Sequence, residues 1–261
     1  MTTDTPTYQH LAWAGVELRW GSHRVLIDPL EDVARLAGML GAPRAEVRSS
    51  ERGDATRTDV LLTHAHADHF DPAAIARALH GGGAVWCMPE IAAEVEAHAV
   101  PVHAVELYEE QRIGPFSARP VPAQDWHADP QVSWVVGSRE GRLIHGGDTM
   151  WHGHWWRIAE LAGPIDIACL PINGFIAHWP GLESADVPGS LTPHQAVEAA
   201  HVLGAHTLCP MHFGLFDNPP LYQQTARALE SLLELAERRG IAVAQRGAIA
   251  RASMNCSAVA V

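Results

Sequence analysis

The stretch "LLTHAHADHFD", Leu61–Asp71, decides how this chain folds and what it holds. Val60–Leu62 read as a buried strand. His64, His66, Asp68 and His69 follow at once, and Asp71-Pro72 reads as the start of a helix over residues 72–79, with Asp71 as N-cap and Pro72 in its first turn. Polar side chains behind a buried strand sit on a sheet rim, where the strand fixes the backbone and the loop wraps a small volume. His64 and His66 are two apart, and Asp68 and His69 are adjacent and can diverge in a turning loop. One such loop feeds two ions, His64 and His66 towards one, Asp68 and His69 towards the other. Imidazole nitrogens and carboxylate oxygens suit Zn2+, and also Mn2+ or Fe2+.

Four side chains do not complete two sites, so further ligands have to arrive from other strand ends. "VPAQDWHADP" offers His127, with Asp125 nearby; "RLIHGGDTM" offers Asp148 behind two glycines; "TLCPMHFG" offers His212. In each, an apolar run gives way to a loop.

Outward from these points, "HLAWAGVELRW" and "HRVLIDP" read as two strands joined at Gly21-Ser22. "LEDVARLAG" reads as a short helix or lid, and residues 41–59 as a loop. "AVWCM", "VHAVEL", "ARPVPA", "VSWVVGS", "RLIHGGD", "IDIACLPI", "HTLCPMH" and "IAVAQRG" are strand candidates. "PEIAAEVEAHA" and "QQTARALESLLELAERRG" are helix candidates. "SLTPHQAVEAAHVLGA" starts a helix with Thr192 as cap, Pro193 at the first position and Gln195 in the capping-box position. No repeat and no composition shift divides the chain. Strands interspersed with helices, the helices increasing late, fit one four-layer αββα sandwich over residues 1–261. "HGGGAV" lacks the spacing of a dinucleotide-binding loop.

The 261 residues carry 18 basic side chains, all arginine, against 30 acidic ones, a net charge of -12. Such a surface argues against nucleic acid or anionic membrane as partner. No window approaches the roughly 18 apolar residues of a spanning helix, and the N-terminal "MTTDTPTYQH" has no apolar signal segment. Cys87, Cys169, Cys209 and Cys256 form no CxxC and read as reduced thiols. The expectation is a cytoplasmic protein acting on a small molecule, with a homo-oligomer left open.

The motif HxHxDH, met by His64, His66, Asp68 and His69, resembles the signature of the metallo-β-lactamase superfamily, and His127, "GGDT" and "PMHFG" fit its spaced partners. Within that superfamily the strand pair ending in "IDP", the "GDT" turn followed by aromatics and the helix ahead of the last histidine look most like the L-ascorbate-6-phosphate lactonase branch. The resemblance implies an αββα sandwich with two divalent ions at one edge: His64, His66 and His127 on one, Asp68, His69 and His212 on the other, Asp148 bridging. It implies that water activated by the ions cleaves a small ester or lactone, phosphorylated or not, with Asp68 and Asp148 taking part in catalysis. A small phosphodiesterase and a non-catalytic metal-stabilised binding protein are the alternatives. The sequence departs from the family around "AQDWHADP", where a histidine is usual at Gln124 or Asp125; should the register differ, His127 stands behind the site and Asp125 is the ligand or a base.

"DTMWHGHWWR" and "NGFIAHWPG" supply aromatics beside the metal region. Trp151, His152, Asn173 and His178 are the substrate-contact candidates drawn from them. Arg119 and Arg157 read as surface ion-pair partners, and His194, His201 and His206 as helix or flanking residues away from the rim.

Overall fold

Two seven-stranded sheets lie face to face in the computed structural model, which describes residues 5–47, 53–244 and 249–251. In chain order, the first part contains β1 (Thr7–His10), β2 (Val16–Trp20), β3 (His23–Ile27), a helical turn ending in α1 (Ala37–Leu40), β4 (Arg57–Leu61), α2 (Pro72–Leu79), β5 (Val85–Cys87), α3 (Pro89–Glu96) and β6 (Val102–Ala104). Next come β7 (Gln111–Ile113), β8 (Phe116–Pro122), β9 (Val132–Ser138), β10 (Gly141–His145), α4 (Trp155–Ala162) and β11 (Ile167–Pro171). Then follow β12 (Ile176–Ala177), α5 (Pro193–Leu203), β13 (Thr207–Met211), β14 (Tyr222–Gln223), α6 (Ala228–Arg239), β15 (Ala242–Val243) and β16 (Ile249–Arg251).

One sheet runs β16-β1-β2-β3-β4-β5-β6, the other β15-β13-β11-β10-β9-β8-β7, and β12 pairs with β14 in a small separate ribbon. Three apolar cores separate four layers. Leu26, Val60, Leu62 and Val85 pack with Ile75, Ile91 and Val95 of α2 and α3. Val16, Val25, Ile27 and Leu61 meet Trp134, Val136, Cys169 and Cys209 between the sheets. Ile144, Ala168 and Leu208 pack with Ile158, Val197 and Leu232 of α4, α5 and α6. This is the expected αββα sandwich.

Local signals explain the helix starts. Asp71 Oδ1 accepts from Ala74 N–H at 3.0 Å, and Pro72 lies where no N–H is needed. Thr192 and Gln195 form a reciprocal capping box at α5, with distances of 2.9 and 3.3 Å. The β2–β3 hairpin turns at Gly21-Ser22, with Trp20 opposite His23.

Several boundaries differ from expectation. "HLAWAGVELRW" is not one strand: it bends at residues 11–15, where Leu11 N donates to Gly15 O and Gly15 N to Ala12 O, and Trp13 takes φ 53. β4 begins at Arg57, inside the expected loop, because Thr56 and Arg57 already pair with Ser22 O. "DTMWHGHWWR" leads into a helix, α4, whose Trp155, Ile158 and Ala162 recur on one buried face. α6 starts only at Ala228, since Thr225 N–H is taken by Asn173 O and Arg227 has φ 53. Residues 245–247 of the last strand candidate, 48–52 of the expected loop and Cys256 lie outside the described residues. Cys87, Cys169 and Cys209 are buried and unpaired. Among the described residues no helix is long and apolar enough to cross a membrane.

Candidate metal centre

β3 and β4 run parallel with Ile27 opposite Leu61, so Asp28 leaves its strand level with Leu62, one residue short of Thr63. Asp28 Oδ1 accepts Thr63 N–H at 2.9 Å, and Oδ2 accepts the Thr63 hydroxyl at 2.6 Å. The same Oδ2 stands 2.7 Å from His69 Nδ1. One buried carboxylate thus fixes both ends of the "THAHADH" loop. The loop closes through His69 N and Phe70 N, both donating to His66 O. Arg35 braces it from outside by donating to Ala67 O and Phe70 O.

These contacts orient the imidazoles. His69 donates Nδ1–H to a carboxylate, which turns Nε2 inward. The Thr63 hydroxyl, having donated to Asp28, accepts Nδ1–H of His64 at 2.9 Å and leaves His64 Nε2 as the inward atom. His212 follows β13 at φ 58, its N–H held by Trp13 O at 2.8 Å and its ring against Trp13 at 4.0 Å between centroids. Asp148 follows β10 through Gly146 and Gly147, and Gly147 has φ 66 with Thr63 packed close against it, a place where any other residue is strained. Trp13, Asp28 and His212 all hold left-handed backbone, at a cost of about 1–3 kcal/mol each.

Two groups of three ligating side chains result, each with its atoms within 4.8 Å of one another: His64, His66 and Asp148, and Asp68, His69 and His212. Asp68 Oδ2 accepts from Trp13 Nε1 at 2.9 Å and lies 3.1 Å from His212 Nε2 and 3.8 Å from His69 Nε2. His64 Nε2 lies 3.6 Å from Asp148 Oδ1. Burial opposes charge on Asp68, but His69 and His212 outweigh it and hold the carboxyl well below its ordinary range. Burial pushes Asp148 up and pushes His64 and His212 down. Burial also opposes charge on His69, yet Asp68 and Asp28 raise it to about 9.

Asp125 is buried and His127 is not. Asp125 Oδ1 accepts the N–H groups of His127 and Asp129 at 2.7 and 3.1 Å, which aims Oδ2 at His66 Nδ1, 3.8 Å away. Asp125, His66 and Asp129 form a further group within 4.8 Å, which His127 does not join. The His127 ring is 55% exposed and lies 3.5 Å from Asp129. A buried polar atom without a partner costs about 1–3 kcal/mol, and His64 Nε2, His69 Nε2 and Asp125 Oδ2 are three such atoms. Divalent cations seated in these groups would satisfy such atoms, and their donor chemistry fits them.

A cavity of about 270 Å³ opens onto Asp68, Asp148 and His212 and is walled by Trp126, Phe175, Trp179 and Tyr222. The four substrate candidates stand apart from its lining. Trp151 packs on Trp155 and Trp156. His152 stacks on Trp155 at 4.2 Å, and burial first, then His154, lowers it to about 4. Asn173 is buried behind the wall, donating to the Tyr222 hydroxyl at 2.7 Å and accepting from Ser190 at 2.5 Å. His178 is exposed. Arg157 and Arg119 pair with Glu160 and Glu110. His145 is buried, with Nε2 donating to Ala14 O at 2.7 Å and Nδ1 accepting Gly147 N–H at 3.2 Å. Asp28 and Trp13 carry much of the site yet escape sequence reasoning; the apolar run ending in Asp28-Pro29 is the one signal that pointed to the former.

Residues 23–213 match the Beta-lactamase superfamily domain. A UPF0173 metal-dependent hydrolase from Thermococcus kodakarensis is 30% identical over 213 residues, 78% of this chain and 82% of that one. Another from Rubrobacter xylanophilus is 28% identical over 233 residues, 82% of this chain and 86% of that one. The solved structure of Igni18, described as a novel metallo hydrolase from Ignicoccus hospitalis, superimposes with TM-score 0.71 at 17% identity, covering 95% of this chain and 98% of that one. With its sandwich fold and its metal-binding groups of a metal-dependent hydrolase, the chain belongs to the metallo-beta-lactamase superfamily.

Proposed function

We propose that this chain hydrolyses a small ester or lactone with two divalent ions, Zn2+ foremost and Mn2+ or Fe2+ as alternatives. His64, His66 and Asp125 would hold one ion, and Asp68, His69 and His212 the other, with Asp148 shared. Asp125 here takes the place that the family resemblance allots to His127. The observation that carries the reading is the pair of adjacent three-residue groups beneath an open cavity. A purely structural metal site is closed on all sides, and this one has room for a substrate.

Bound there, such ions lower the pKa of water towards about 7 and polarise a carbonyl oxygen. The chain's part is to position and to move protons. Trp13 donates to Asp68 Oδ2 and fixes the carboxylate plane. Its other oxygen takes the proton of the attacking water and returns it to the departing alkoxide. The new bond joins water oxygen to the acyl carbon, the acyl C–O bond breaks, and a lactone opens to its hydroxy acid. Asp28 and Thr63 hold the imidazoles throughout.

The test loads the full chain with each metal, measures ion content, and assays lactones, esters and phosphodiesters. Two ions per chain with lactone or ester turnover, lost in Asp148→Asn with the fold retained, is the expected result. Metal uptake with turnover of phosphodiesters alone overturns the substrate class. Metal uptake without any turnover favours a binding protein.

A further inference from the structure

The cavity over the metal centre has a lining that selects by chemistry. Trp126 and Trp179 meet edge to face at 5.3 Å, Phe175 and Tyr222 stack at 5.2 Å, and Trp179 lies parallel to Tyr222 at 6.4 Å. These rings come from three separate segments: Trp126 from the β8–β9 loop, Phe175 and Trp179 from around β12, and Tyr222 from β14. They form one continuous aromatic wall, two of whose members, Phe175 and Tyr222, are buried, with the Tyr222 hydroxyl held by Asn173. An aromatic wall of this kind holds a flat apolar group face-on or edge-on.

The charges of the lining point the same way. Among the described residues no arginine lines the cavity, and the chain contains no lysine. Its charged members other than histidine are the carboxylates Asp68, Asp129 and Asp148. Two arginines of the segment before β4 are already engaged, Arg35 on Ala67 O and Phe70 O and Arg44 on Asp217 at 2.8 Å. A phosphate on the substrate, away from the reacting carbonyl and from Asp68 and Asp148, which the ions would occupy, would meet apolar rings and the Asp129 carboxylate, with no arginine fork among the described residues to receive it. The cavity, about 270 Å³, is at the small end of ligand pockets, roughly 300–1,000 Å³.

We propose that the centre takes an uncharged substrate bearing a flat apolar or aromatic group, packed against Trp126 and Trp179, and that it discriminates against phosphorylated substrates. This rests on the hydrolase reading above and names its substrate class.

The test compares the metal-loaded full chain on dihydrocoumarin, an aromatic lactone, δ-valerolactone, which lacks the ring, and 6-phosphogluconolactone. Dihydrocoumarin is expected to have the highest kcat/KM, by about tenfold over δ-valerolactone, and the phosphorylated lactone the lowest. Trp179→Ala should collapse the aromatic preference through KM, and Trp179→Phe should restore most of it. A phosphorylated lactone turned over as well as dihydrocoumarin, or a preference untouched by Trp179→Ala in folded protein, overturns the proposal. A second arm needs no turnover: calorimetric titration with 3,4-dihydroquinolin-2-one, the lactam analogue, and with glucose 6-phosphate. Saturable binding of the lactam, weakened about tenfold in Trp179→Ala, with no binding of the sugar phosphate, supports the proposal even if no lactone is cleaved; in that event the hydrolase reading alone fails. Tighter binding of the sugar phosphate than of the lactam sinks the proposal whether or not turnover is seen.

Discussion

Asp28 and His69, 41 residues apart, meet at 2.7 Å with both side chains wholly buried. The contact joins the end of β3 to the loop after β4. It sets which imidazole nitrogen faces inward, so its removal should be felt at the metal before it is felt in the fold. Asp28→Asn keeps an acceptor for Nδ1–H but removes the charge. Metal affinity, read by chelator competition, is expected to fall about 10- to 100-fold. Unchanged affinity in folded Asp28→Asn would show that the contact does not support the ligand.

Asp125 and His127 can be told apart by counting ions. Asp125→Asn retains the Oδ1 acceptor for the two N–H groups of its turn while weakening the oxygen aimed at His66. Metal analysis should show loss towards one ion per chain in this variant, and two in His127→Ala. The reverse pattern would assign the ligand to His127.

Metal binding should strengthen with pH. His69 is held up to about 9 from an ordinary 6.5, against burial, by Asp68 and Asp28. An ion taken by Nε2 must displace that proton, so affinity should rise about tenfold per pH unit towards 9 and then level. The sign for chelated protein is opposite. Stability contributed by the charged ring is fully present below 6.5 and is lost as pH climbs through about 9. Calorimetric titrations between pH 6 and 10, with and without chelator, read both trends.

Asp59 offers a control away from the metal centre. It is buried beneath His23, Arg57, Trp86 Nε1 and Ala84 N–H, at 2.8 to 3.1 Å. Burial opposes its charge, yet His23, Arg57 and Trp86 hold it well below the ordinary 3.8. Its contribution is therefore present above 3.8 and lost as pH falls further. Asp59→Asn should cost about 2 kcal/mol at pH 7, with the gap to the parent narrowing in acid. Denaturant melts at pH 7 and pH 3 check it; an equal gap at both would reject the assignment.

Much of this was legible in the chain, and the limits have physical causes. The dense "THAHADH" loop, Asp148 behind its glycines and His212 behind β13 announce themselves because strand and ligand are contiguous. Asp28 and Trp13 do not, since their partners lie 41 and 55 residues away; the "IDP" strand end marks Asp28 but not what it holds, and Trp13 belongs to no local pattern. The choice between Asp125 and His127 turned on which side chain caps its own turn, a matter of two backbone N–H groups. α4 was hidden because its buried stripe is built on Trp155, a residue read as pocket wall. The segments "DTMWHGHWWR" and "NGFIAHWPG" both looked aromatic, yet of the two only the second puts its rings in the cavity, and its useful members are Phe175 and Trp179 rather than Asn173 and His178.

The two-strand ribbon β12–β14 stands apart from both large sheets and supplies Tyr222, with Phe175 and Trp179 flanking its first strand, but none of the side chains gathered in the metal-binding groups. On the proposed reading the mouth is modular: this ribbon is a cassette whose exchange would rewrite what is admitted, while the metal-binding groups, carried on other strand ends, stay as they are.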